Sequence, residues 1–104
     1  MKKMVVVVGS SNTDMIVKTS RLPRAGETVI GGKFFMAPGG KGANQAVSAA
    51  RAGANVALIA RVGEDMFGRK AVEGFRRDRI NVDYVFKDKE APSGIALIFV
   101  SETG

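Results

Sequence analysis

The sequence predicts an α/β fold, a mostly parallel sheet flanked by helices with a smaller β layer beside it. Three observations carry this. Val5–Val8 is an unbroken β-branched run, the pattern of a strand buried on both faces. Two stretches of helical character, beginning near Gly42 and Met66, alternate with apolar runs at Val56–Val62 and Ile95–Val100. Three extended segments, near 14–18, 28–37 and 95–100, come without helices of their own and predict a separate, mostly antiparallel layer.

Gly9 to Asn12 breaks the first strand, and Asp14–Lys18 resumes as a short one. Leu22-Pro23-Arg24-Ala25-Gly26 is a turn. Thr28–Ala37 reads as extended, with a bulge or bend at Gly31-Gly32, and Pro38 with the following glycines ends it. The first helix begins near Gly42 or Ala43 and runs to Ala52, with Gly53 in the position of a C-terminal glycine cap. Its packing surface is slim: Ala43, Ala46, Val47, Ala49 and Ala50. Val56–Val62 is the next buried strand. Asp65 is placed to cap a second helix over about 66–79, whose Phe67, Ala71, Val72 and Phe75 fall at helical spacing. Gly74 inside that helix costs up to about 1 kcal/mol relative to alanine. Tyr84–Phe86 reads as a brief strand and Ile95–Val100 as a clear one. Ser101–Gly104 is a hairpin-like turn after which the edge of the last strand stays unpaired, so residues 1–104 read as the first portion of one larger domain.

Composition narrows the chemistry. An apolar fraction of 45% argues against disorder. The 104 residues contain no cysteine and no histidine, which excludes disulfides, thiolate metal sites and the commonest general base. Chemistry must come from carboxylates, lysine, hydroxyls or the backbone. The formal net charge of +6 points to an anionic partner or to a solvated basic surface. No apolar run is long enough to span a membrane. Met1-Lys2-Lys3-Met4 followed by Val5–Val8 faintly resembles a signal peptide, but its apolar stretch is too short, which predicts a cytoplasmic protein.

Two stretches have the character of a binding site. In "GGKGAN", residues 39–44, backbone amides at a helix start are freed from side-chain bulk, and Lys41 adds a positive charge. This is not a nucleotide P-loop, because Lys41 is followed by Gly42 and not by Ser or Thr. A glycine pair alone is also compatible with a tight turn that lets the helix approach the sheet. In "GSSNTD", residues 9–14, Asn12 can donate and accept, and the Asp14 carboxylate can accept from two hydroxyls at once, a combination suited to a polyol. A capped turn with local Asx bonds is the alternative there. Glu64 and Asp65 form a carboxylate pair, but Asp65 is placed as a helix cap, Glu64 faces water, and Met66 and Phe67 read as core. Arg69, Lys70, Arg76, Arg77 and Arg79 form no single stripe and are interrupted by Glu73 and Asp78, which favours a solvated face over nucleic-acid binding.

Taken together, "GSSNTD", "LPRAGET", "GGKGANQA", "VGEDMFG" and "SGIALIFV" resemble, in order and spacing, the ribokinase family within the PfkB-type carbohydrate kinases. The resemblance covers all 104 residues, as the first third of a protein of that kind. It implies a ribokinase-like fold and ATP-dependent phosphorylation of a pentose, ribose at its 5-hydroxyl, with another sugar or nucleoside as the alternative acceptor. It implies that Asn12 and Asp14 bind sugar hydroxyls, that Gly40, Lys41 and Asn44 close around the same sugar, that Gly39 permits the approach, and that Ala96 lines the pocket from a β-sheet lid. In relatives that lid also serves as a homodimer contact. ATP, Mg2+ and a monovalent cation are the implied cofactors. The family takes its catalytic base and phosphoryl-binding amides from a Gly-Ala-Gly-Asp loop late in the chain, and these residues contain no such loop, so no catalytic or metal residue is assigned here.

Overall fold

The computed structural model describes residues 3–104, so the first two residues of the signal-like Met1–Met4 stretch lie outside the described residues. Eight elements follow in order: β1 (Val5–Val8), β2 (Asn12–Lys18), β3 (Lys33–Gly39), α1 (Lys41–Arg51), β4 (Val56–Gly63), α2 (Met66–Arg77), β5 (Val85–Asp88) and β6 (Gly94–Val100). They form two three-stranded sheets. The first is parallel throughout, in the order β1-β4-β5. The second has the order β3-β2-β6. The radius of gyration, 16.3 Å, exceeds the roughly 13 Å of a compact domain of this length because the sheets extend side by side.

The core lies between the parallel sheet and its helices. Val7, Val56, Leu58 and Ala60 from the sheet meet Ala43 and Ala46 of α1, Phe75 of α2, and Ile80. Alanine dominates the α1 side, so the helix axis can approach the strands closely. The tightest approach is at its start. A Cβ on Gly42 would lie 2.6 Å from the Gly9 Cα, and one on Gly9 would lie 2.8 Å from the Gly42 Cα. The end of β1 and the first turn of α1 are thus in backbone contact, and the Ala43 amide donates to the Ser10 carbonyl at 3.0 Å.

Helix α2 begins as its sequence predicts. The Asp65 side chain accepts from the Gly68 amide. It ends two residues before the expected 79, because Arg79 adopts a left-handed φ of 60°. Met66, expected in the core, is 48% exposed.

The strand expectations need four corrections. Val5–Val8 is not buried on both faces: Val7 is buried against the helices, but Val5, Val6 and Val8 are exposed, and among the described residues β1 pairs only with β4. The segment expected to be extended over 28–37 is a strand only from Lys33, and it runs through Pro38 to Gly39 where Pro38 was expected to end it. Gly31 and Gly32 carry φ of 101° and 96°, outside strand geometry, and a Cβ on Gly32 would lie 2.0 Å from the Lys18 carbonyl oxygen. The second sheet is mixed rather than mostly antiparallel. β3 returns on β2 as a hairpin partner, whereas β6 arrives from β5 in the direction that β2 takes from β1, and so pairs parallel with β2. Finally, β5 is Val85–Asp88, one residue later than expected at its start and two at its end.

Asp88 secures the exit from β5. Its Oδ1 accepts from the amides of Glu90 and Ala91, and its Oδ2 accepts from Arg61 Nε at 2.7 Å. These bonds, the Ala91 amide first, hold its carboxyl below the usual carboxylate range. Among the described residues no helix is long and apolar enough to cross a membrane.

Two predictions follow from this packing. Alanine normally favours a helix over glycine, but Gly42→Ala must push its methyl into the Gly9 backbone, so it is expected to destabilise by about 1–3 kcal/mol. Gly74→Ala, whose Cβ meets only the flexible end of Arg77 at 3.8 Å, is expected to stabilise by about 0.5–1 kcal/mol. Urea denaturation of both variants checks the opposed signs. The second prediction concerns acid. A carboxyl with a depressed folded pKa contributes stability that is fully present above the unfolded pKa, about 3.9, and is lost as pH falls through the folded value. Stability should therefore fall below about pH 4, and Asp88→Asn, which keeps the turn acceptor but not the charge, should show a shallower acid slope in urea titrations. An unchanged slope would mean that Asp88 does not carry the effect.

Candidate functional site

The second sheet is organised in rows by its register. Asn12 stands opposite Gly39 on one side and Gly94 on the other, and Asp14 stands opposite Ala37 and Ala96. Partners in a row project from the same face, and positions 12 and 14 share that face because side chains alternate along a strand. One face therefore carries two polar side chains in its centre, with glycine or alanine on both flanks. The next row, Phe35–Ile16–Ile98, closes the trough with bulk.

Within the trough, Asn12 Nδ2 donates to Asp14 Oδ1 at 3.0 Å. Both residues are half-buried. The Asp14 carboxylate leans diagonally over Gly39: a Cβ there would lie 2.6 Å from Oδ1 and 2.8 Å from Oδ2. A glycine is needed at 39 for this carboxylate to hold its place. On the opposite flank a Cβ on Gly94 would meet the Asn12 Cβ at 3.4 Å. Bond formation between Asn12 and Asp14 uses only part of their capacity. The carboxylate keeps acceptor sites, and the amide keeps one N–H and its oxygen.

Gly40 leads from β3 into α1 with φ 98° and ψ 131°, and a Cβ there would lie 2.6 Å from the Ser10 carbonyl oxygen. Only glycine fits both constraints. The α1 start has no side-chain cap and no acidic residue in its first turn. Of its first amides, that of Ala43 is taken by the Ser10 carbonyl, which leaves those of Lys41 and Gly42, at the positive end of the helix, for polar groups. Asn44 is one turn further on and is exposed. It lines a groove between α1 and α2 with Pro38, Val47, Ser48 and Lys70, and Asp14 is not among the residues lining that groove. The structure thus brings Asn12, Asp14, Gly39 and Ala96 together directly, sets Gly40 and Lys41 at the adjoining chain crossing, and turns Asn44 toward α2. Asn12 and Gly39 also border a cleft of about 370 Å3 whose far wall includes Phe67 and Lys70 of α2.

Sequence reasoning missed one structural group. Ser93, read only as part of an apolar-strand motif, is buried and bonded to the start of α2: its amide donates to Asp65 Oδ2 and its hydroxyl to Asp65 Oδ1, both at 2.8 Å, and its Oγ accepts from the Gly63 amide at 2.9 Å. The bonds from the Ser93 amide, the Gly68 amide and the Ser93 hydroxyl, in that order, hold the Asp65 carboxyl below its usual range. The spacing of Gly63 and Gly68 about Asp65 was the available signal. Glu64 is exposed, as expected, and Arg69, Lys70, Arg76, Arg77 and Arg79 are all exposed.

The glycine loop lacks the hydroxyl of a P-loop, and among the described residues no group of three or more His, Cys, Asp or Glu side chains could hold a metal ion.

The chain as a whole has counterparts among known proteins. The chain matches the pfkB family carbohydrate kinase over residues 2–104. It is 46% identical over 100 residues to a ribokinase of Mus musculus, covering 96% of this chain and 31% of that protein. It is 39% identical over 97 residues to a deoxyribokinase of Salmonella typhimurium, covering 93% of this chain and 32% of that one. The structure of Arabidopsis thaliana ribokinase complexed with ribose and ATP matches with a TM-score of 0.88 at 36% identity, over 100% of this chain and 34% of that chain. The fold is therefore ribokinase-like, and the chain spans about a third of the length of the curated relatives it matches.

Proposed function

The chain belongs to the pfkB family of carbohydrate kinases, and we propose that it forms the sugar-binding half-site of a kinase that phosphorylates ribose at its 5-hydroxyl. The observation that carries the proposal is the Asn12–Asp14 pair in its trough of small residues. A pentose offers several hydroxyls on one edge. Asp14 accepts from two of them, Asn12 donates to and accepts from a neighbour, and Gly39, Gly94, Ala37 and Ala96 leave room for the ring to lie against the strand. Gly40, Lys41 and Asn44 approach from α1, with the Asn44 side chain turning from its groove toward the sugar. The β3-β2-β6 sheet acts as the lid, which excludes water from the reacting hydroxyl.

The chemistry is in-line phosphoryl transfer from ATP, with Mg2+ and a monovalent cation as its further cofactors. That reaction needs a base for the hydroxyl and amides for the transferred charge. The residues of this chain bind and orient the acceptor, and none is assigned as base. The reverse face of the lid, with Phe34, Met36, Ile95, Leu97 and Phe99 exposed, supports a homodimer formed through it. Similarity to a deoxyribokinase favours 2-deoxyribose as the second reading.

Calorimetric titration tests the substrate. Ribose is expected to bind, and Asp14→Ala to weaken it by roughly ten- to a hundredfold, the loss of hydrogen bonds to a charged group. Gly39→Ala should weaken it comparably by displacing the carboxylate. Equal or tighter binding of 2-deoxyribose, adenosine or fructose would transfer the assignment to that acceptor. In a coupled ADP-release assay the 104-residue chain is expected to show no turnover with ribose and ATP; turnover at the rate of a complete ribokinase would overturn the half-site reading.

A further inference from the structure

The chain crosses between the two sheets three times: from β1 to β2, from β3 to α1, and from β5 to β6. The first two crossings lie together and are packed by backbone contact, Gly9 on Gly42 and Gly40 on Ser10. The third is far from them in sequence and is held by polar bonds centred on one carboxylate. Capping α2 requires only that Asp65 Oδ1 accept from the Gly68 amide. The second oxygen is committed elsewhere, to the amide of Ser93, 28 residues away. Ser93 is 9% exposed, and both its polar groups are satisfied by this one turn. Leaving them unpaired would be costly. Room for Ser93 exists only because Gly63 lacks a Cβ, which would lie 2.2 Å from the Ser93 amide nitrogen.

The residue after Ser93 is Gly94, which begins β6 and flanks Asn12. Because β6 is paired with β2 along its whole length, the small sheet moves as a unit. What the Ser93 bonds fix is the pose of that sheet over the α1 start.

We infer that Asp65 and Ser93 are positioning residues of the sugar site: they latch the small sheet to the parallel layer and so set the Asn12–Asp14 trough against the first turn of α1. This rests on the sugar-site reading above. The latch touches no sugar itself and acts through the placement of β6 and β2.

Asp65→Asn separates the latch from the cap. Asparagine caps helices as well as aspartate does, so its oxygen still serves Gly68. Its amide nitrogen, however, confronts the Ser93 N–H donor to donor. The absence of cysteine allows spin labels at Ala54→Cys on the parallel layer and Glu102→Cys beyond β6, and pulsed electron resonance then reads the distance between the sheets. A single narrow distribution is expected for the otherwise unaltered chain and for Ser93→Thr, which keeps the hydroxyl. Asp65→Asn and Ser93→Ala should broaden it with α2 helicity unchanged by circular dichroism, and should weaken ribose binding by roughly tenfold, as for the loss of one charge-assisted hydrogen bond. Distributions as narrow as the parent's in both variants would overturn the latch. Broadening with unaltered ribose affinity would overturn its positioning role. Asp14→Asn is the control: it should weaken ribose binding with the distance unchanged. If the parent chain binds no ribose, the sugar reading falls and the positioning role with it, while the distance distributions still decide whether Asp65 and Ser93 hold the sheet.

Discussion

The structure depends first on the contact between the Gly9 and Gly42 backbones. No side chain stands between the end of β1 and the start of α1, so the helix begins within van der Waals reach of the strand it follows in space. The next residues on either side, Ser10 and Ala43, join by a backbone hydrogen bond. The helix start thereby lies beside the chain crossings that lead into β2 and out of β3, where a Cβ on Gly40 would lie 2.6 Å from the Ser10 carbonyl oxygen. A methyl at either position would separate the two layers, because neither neighbour is a flexible side chain that could move aside.

Given that junction, the small sheet acquires two faces of opposite character from one register. The face with Asn12 and Asp14 is polar at its centre and small at its flanks. The reverse face is apolar and exposed, with Leu97 at 66% and Phe34 at 62%. One face thus presents hydrogen-bonding groups and the other an exposed apolar surface. The strand alternation enforces this division, since a shift of one residue in pairing would send Asp14 to the apolar side.

The parallel sheet is similarly one-sided. Val7, Val56, Leu58 and Ala60 are covered by α1 and α2, whereas Val6 and Val8 on the other face are exposed. The glycines about Asp65 serve the polar counterpart of the Gly9–Gly42 contact: they admit Ser93 to a carboxylate already used as a helix cap. Two sheets are thus joined by a close-packed seam at one end and a hydrogen-bonded one at the other.

Much of this was legible in the residues themselves. The α1 and α2 starts, the Asp65 cap, the Gly53 turn and the buried β4 run follow from local rules of capping, helical spacing and β-branching, which act over a few residues. Gly39, Gly40, Asn12 and Asp14 also stand out in the sequence, since glycine clusters and paired amide–carboxylate side chains are uncommon in plain turns. What local rules could not supply was partnership. The parallel pairing of β6 with β2, the exposure of three of the four β1 valines, the place of Asn44 in a groove beside α2 and the bond from Asp65 to Ser93 each depend on residues 26 or more positions away. Local rules of capping, spacing and β-branching thus place both helices and most of the strands. Which edges meet, and which carboxylate oxygen serves which donor, is settled by the packed fold, because those outcomes depend on chain segments that are neighbours in space and strangers in sequence.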